Sequence, residues 1–102
     1  MGITVKLETE NGNEIQCVED PTNVLHRVLP EPGSPQFQWA GTIDWYGDTV
    51  FNRMQATLLR DEWAILIQNA ADEKTKELLE QIDVILSRCA SEGHLYAKFH
   101  GD

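Results

Sequence analysis

Two short stretches hold residues whose types and spacing could do chemistry. In Asp44-Trp45-Tyr46-Gly47-Asp48, two carboxylates stand four positions apart beside two aromatic rings. Paired carboxylates can divide acid and base roles, or supply oxygen ligands to a metal. In His94-x-Tyr96-x-Lys98-x-His100, titratable side chains fall at every second position, so a strand would place all four on one face. Each stretch also has a commoner role. Short acidic residues before a helix usually cap it, and titratable residues often occupy a solvated sheet face. If Asp48 caps a helix, it also fills the anion site at that helix start, leaving no room for phosphate. His94 and His100 would lie about 20 Å apart along a strand, too far to share one metal ion. Neither a metal nor a cofactor is expected. The chain has no Gly-x-Ser-x-Gly, His-Glu-x-x-His, phosphate-binding glycine loop or Cys-x-x-Cys.

The element that must position the first cluster is the segment after it. From Asp48 to Ala71 no proline or glycine interrupts the chain. At helical period, Phe51, Met54, Leu58, Glu62, Ile65 and Leu66 share one broad face, expected to meet the core. Asp48 or Thr49 is the expected cap, with Gly47 allowing a sharp approach. Trp63 lies off that stripe, where it covers a loop or meets a partner. A second helix is expected between Asp72, as its cap, and Gly93, as its stop. Its stripe is Leu78, Ile82, Ile85 and Cys89, flanked by Leu79, Leu86 and Ala90. The short connection predicts that the two helices lie antiparallel.

The strands read from alternation. Ile3, Val5 and Leu7 share a face, and Ile15 and Cys17 resume it beyond Asn11-Gly12-Asn13, a hairpin turn. Leu95, Ala97 and Phe99 share a face of a last strand, His94 to His100. Asp20-Pro21 should open a helix of about two turns that carries Val24, Leu25, Val28 and Leu29 and ends at Pro30. Residues 30–36 form a Pro-rich loop, and Phe37 to Trp39 make a short strand running towards Ile43. His26 is expected at or near the surface. Elements of both kinds without regular alternation predict one α+β domain over residues 1–102, with a small, mostly antiparallel sheet (the N-terminal hairpin plus the C-terminal strand) packed against two antiparallel helices.

Composition narrows the partners. A chain of 102 residues with a formal net charge of −9 is poorly suited to polyanionic DNA, RNA or membrane surfaces. The acidity is concentrated early: the first fifty residues carry two cationic and eight anionic side chains, and the rest six and nine. Such a surface suits a basic protein. Cys17 and Cys89 are the only cysteines; they are expected as buried thiols of a reducing, cytoplasmic compartment rather than a disulfide framework. The first residues lack a secretory pattern, Lys6 stands where a myristoylation signal needs Ser or Thr, and no apolar run is long enough to span a bilayer.

The segment from Asp44 through Asp48-Thr49-Val50-Phe51-Asn52-Arg53-Met54 to Gln55, together with His94-Leu95-Tyr96-Ala97-Lys98-Phe99-His100-Gly101-Asp102, resembles a set of small bacterial proteins of no assigned role. The resemblance runs from residue 44 to the end. It implies a bacterial, self-contained chain and brings no activity, cofactor or site with it.

The leading expectation is a non-catalytic cytosolic protein-interaction domain, an acidic immunity-type inhibitor or adaptor for a basic partner. Its predicted contacts are Asp44, Trp45, Tyr46, Asp48 and Trp63. A second reading is a small enzyme or ligand-binding domain with a pocket between the Asp44–Asp48 loop and the strand face of Tyr96 and Lys98; those residues would then have to line a common concavity. A third is a homodimer joined through Phe37, Trp39 or Trp63.

Overall fold

The computed structural model describes residues 2–101. Four strands, β1 (Thr4–Thr9), β2 (Glu14–Val18), β3 (Asp48–Phe51) and β4 (Leu95–His100), form one antiparallel sheet in the order β2-β1-β4-β3. The helices are α1 (Val24–Val28), α2 (Arg53–Gln68) and α3 (Glu73–Ser91). Arg53 reaches Ala90, Arg60 reaches Asp83 and Trp63 reaches Leu79, so α2 and α3 run antiparallel. The fold is α+β, as the pattern of elements predicts.

The core lies between the helical layer and one face of the sheet. β4 contributes Leu95, Ala97 and Phe99, and β1 contributes Val5 and Leu7, all buried. The Phe99 ring meets Phe51 edge-on with centroids 5.6 Å apart, and Trp63 at 5.8 Å. From α3 come Leu79, Ile82, Ile85, Leu86 and Cys89, close to the stripe its spacing predicts. Asp72 caps this helix as expected, its carboxylate accepting the Thr75 N–H at 2.8 Å.

Several expectations need correction. The long helix starts at Arg53, not at Asp48 or Thr49. Asp48 to Phe51 pair instead with β4, and Asn52 caps the helix in a reciprocal box with Gln55, each side chain bonding the other's backbone N–H at 2.9 Å. The buried row of α2 is also different: Ala56, Leu59, Trp63 and Leu66 face the core, whereas Met54, Leu58 and Ile65 face solvent. Of the expected stripe, only Phe51, which lies on β3, and Leu66 are buried. Trp63 is fully buried, with its indole N–H donating to the Leu79 carbonyl at 2.9 Å. A ring of that size outweighs several smaller apolar side chains in deciding which side turns inward.

Phe37 to Trp39 form no strand. A 3-10 turn follows at Ala40–Thr42, and the Glu62 carboxylate of α2 holds its start by accepting from Trp39 N at 3.1 Å and Ala40 N at 2.7 Å. Pro21 is not the first residue of α1, which begins at Val24. Asp20 nevertheless serves that helix: its buried carboxylate accepts from Val24 N at 2.9 Å and Leu25 N at 2.7 Å. Finally, Ile15 and Cys17 are exposed. The hairpin places Cys17 opposite Lys6 and Gln16 opposite Leu7, and directly opposed residues share a face. Cys17 therefore shares the outward face of Lys6.

Candidate interaction site

The loop before β3 is held from several sides. The Asp44 carboxylate accepts the Tyr46 N–H at 2.9 Å, and Asp44 N donates to the Thr49 hydroxyl at 2.8 Å. Gly47 fits because a Cβ there would sit 2.7 Å from an Asp44 carboxylate oxygen. From the other end of the chain, Gly101 N donates to Gly47 O at 2.7 Å. A Cβ on Gly101 would lie 2.6 Å from both Gly47 N and Trp45 O, so only glycine lets the two backbones approach this closely. Beneath the loop, His26 of α1 contacts both rings. Its centroid is 5.1 Å from that of Trp45 and 6.5 Å from that of Tyr46, the latter edge-on.

The two rings end up with different roles. Trp45 is half-buried against the core, whereas Tyr46 is 75% exposed. Pro32, Ile43, Trp45 and Tyr46 border a cavity of about 450 Å³. Thus Asp44 and Tyr46 form the tip of the loop, and Trp45 is its root.

Asp48 takes part in a second arrangement, on the sheet face opposite the helices. Its carboxylate bridges His100 Nδ1 at 2.5 Å and Lys98 Nζ at 3.5 Å. The His100 hydrogen bond, with the nearby Lys98 charge, holds the Asp48 carboxyl below the usual carboxylate range. Lys98 also lies 4.0 Å from Glu8, and Lys6 lies 3.6 Å from Glu14. A carboxylate that orients an imidazole is half of an acid/base device. Among the described residues, no hydroxyl or thiol bonds the other nitrogen of His100 to complete it. No group of three or more His, Cys, Asp or Glu side chains is placed to hold a metal among the described residues.

Tyr96 belongs to neither arrangement. It borders a cavity of about 590 Å³ with Glu10, Arg53, Met54 and His94. His94 is in the left-handed region at φ 64° and meets Glu10 at 2.6 Å. That cavity shares no lining residue with the one beside Trp45 and Tyr46. The structure therefore joins Asp48 with Lys98, separates Tyr96 from the loop, and removes Trp63 from the surface. The proposed dimer contacts change in the same way: Phe37 and Trp39 are partly buried on the core, and Trp63 is wholly inside.

His26 and Gly101 support the loop without a signal in the sequence. Their roles depend on contacts between segments far apart in the chain, and no local pattern signals them. No described helix is long and apolar enough to cross a membrane. No family model matches the chain, and no curated protein or solved structure matches it either.

Proposed function

We propose that this chain is a non-catalytic protein-interaction domain, an intracellular inhibitor or adaptor that grips a basic partner through Tyr46 and the flanking carboxylate of Asp44. The observation that carries the reading is the exposed Tyr46 ring on a loop tied to Thr49, Gly101 and His26. A ring held in place before binding loses little conformational freedom when a partner covers it. Tyrosines so placed commonly act as energetic anchors. The net charge of −9 favours rapid encounter with a cationic surface. Trp45 is a support in this reading rather than a contact. The competing ligand-pocket reading needs one concavity shared by loop and strand, and the two open on separate cavities.

The test uses affinity capture from a cell extract to isolate a partner, followed by calorimetry with that purified partner. Tyr46→Ala should weaken binding at least about tenfold, the range of an interface anchor, with no change in melting temperature. Equal affinity for the variant and the parent chain removes the proposal.

A further inference from the structure

The ridge that helical spacing assigns to the core, and that the fold leaves outside, has a use of its own. Met54 is 74% exposed and Leu58 and Ile65 are each 41% exposed. With Asp61 they occupy one line on the outer side of α2, within about 60° of one another and over about 17 Å of helix. The opposite side of α2 is the buried row of Ala56, Leu59, Trp63 and Leu66. The ridge therefore contributes nothing to the internal core, yet it is as regular as the face that does. Beside it, α3 turns Glu73, Glu77, Glu80 and Val84 outward, again on one line and all exposed.

Charge on this layer is unevenly compensated. Among the described residues, Asp61, Glu73, Glu77 and Glu80 take part in no ion pair. Arg60 is committed to Asp83 and Arg88 to Glu92, while Arg53 donates to the Ala90 carbonyl. Lys74 and Lys76 stand at the start of α3, away from Met54 and Leu58; Lys76 lies beside the other end of α2, where it lines a cavity with Ala64 and Gln68.

We propose that this face binds an amphipathic, cationic helix of another protein. The bound helix lies along α2 and α3, its apolar stripe on Met54, Leu58 and Ile65 and its lysines or arginines over Asp61, Glu77 and Glu80. A straight ridge beside a parallel row of side chains is the surface that a third helix fits by interdigitation. A second copy of this chain fits less well. In the antiparallel register that stacks Leu58 on Ile65 of the other copy, Asp61 meets its own copy near the two-fold axis, and two chains of charge −9 repel. This surface is separate from Tyr46, so the two proposals can fail independently.

The probe is a synthetic Leu/Lys amphipathic helix of about 18 residues, long enough to cover the ridge. A Leu/Glu helix of the same pattern is the control. Each is titrated into the full chain and followed by amide chemical shifts and calorimetry. The Leu/Lys helix should bind and shift amides of residues 54–65 and 77–84. The double variant Leu58→Gln, Ile65→Gln should bind it at least about tenfold more weakly at an unchanged melting temperature. Glu77→Gln with Glu80→Gln should flatten the salt dependence, and Tyr46→Ala should leave binding as it was. The proposal is overturned if the Leu/Lys helix does not bind, binds the double variant equally, shifts residues 44–48 instead of the ridge, or binds no better than the Leu/Glu control. Sedimentation that shows the chain self-associating through Leu58 and Ile65 would assign the face to a second copy.

Discussion

At the scale of single residues, the two cysteines show how one substitution class divides by environment. Cys89 is buried, its thiol directed at the carbonyls of Phe51 and Leu95, and burial pushes its pKa up. Cys17 is exposed on the outer sheet face; partial desolvation and the charges of Glu14 and Glu19 raise its pKa as well. The thiolate is the reactive form. A maleimide or disulfide reagent should therefore modify one thiol in the folded chain, Cys17, and the second only on unfolding. The Cys17 rate should keep rising with pH beyond the range of an ordinary free thiol. For Cys89 the sign is that of a group with a raised folded pKa: its contribution to stability is complete at neutral pH and falls away in alkali, once the unfolded thiol ionises while the folded one does not. Peptide mapping after labelling, with and without denaturant, checks the assignment; rapid native labelling of both thiols would contradict the burial of Cys89.

At the scale of elements, the start of α2 is the informative case. Gly47-Asp48-Thr49 reads as a helix entry, but a strand pairs there, because Thr49 and Phe51 fit against Phe99 and Ala97 of β4. The helix then opens four residues later on Asn52-Arg53-Met54-Gln55, itself a legible capping-box sequence. Asn52→Ala should destabilise the fold by about 1 kcal/mol, the usual worth of an N-cap, as read by denaturant titration. Asp72→Ala, at the true cap of α3, should lower the melting temperature at neutral pH and progressively less in acid. The hydrogen bond from the Thr75 backbone N–H holds the Asp72 carboxyl below the usual carboxylate range. That contribution is present above the unfolded carboxylate pKa and lost as pH falls through the lowered folded one. A constant difference across the acid range would contradict this assignment.

At the scale of the whole molecule, the loop that carries Tyr46 is bound to the end of β4 through Gly101. Gly101→Ala should force apart Trp45, Gly47 and the last strand, since the added Cβ would meet backbone atoms on two sides. Both the melting temperature and the affinity for a Tyr46-dependent partner should fall. Gly93→Ala is the matched control: a Cβ there meets nothing within 4 Å, and stability should hold. If both variants melt alike, the loop is not anchored through Gly101.

Local pattern determined most of the elements. The period-two runs at residues 3–7 and 95–99, the turn at Gly12, the stripe and Asp72 cap of α3, and the α+β class are all legible from near neighbours, because helices and strands repeat over a few residues. Tertiary structure decided which side of α2 faces inward, whether Cys17 is buried and which functional candidates meet. Two apolar rows lie on α2, and periodicity alone does not choose between them; the choice came from Trp63 fitting beside Phe99 with its indole N–H satisfied by Leu79. Likewise, Asp48 meets Lys98 and His100 only because β3 pairs with β4. Pairing between distant segments depends on shape and register across the sheet, which no window of neighbouring residues contains.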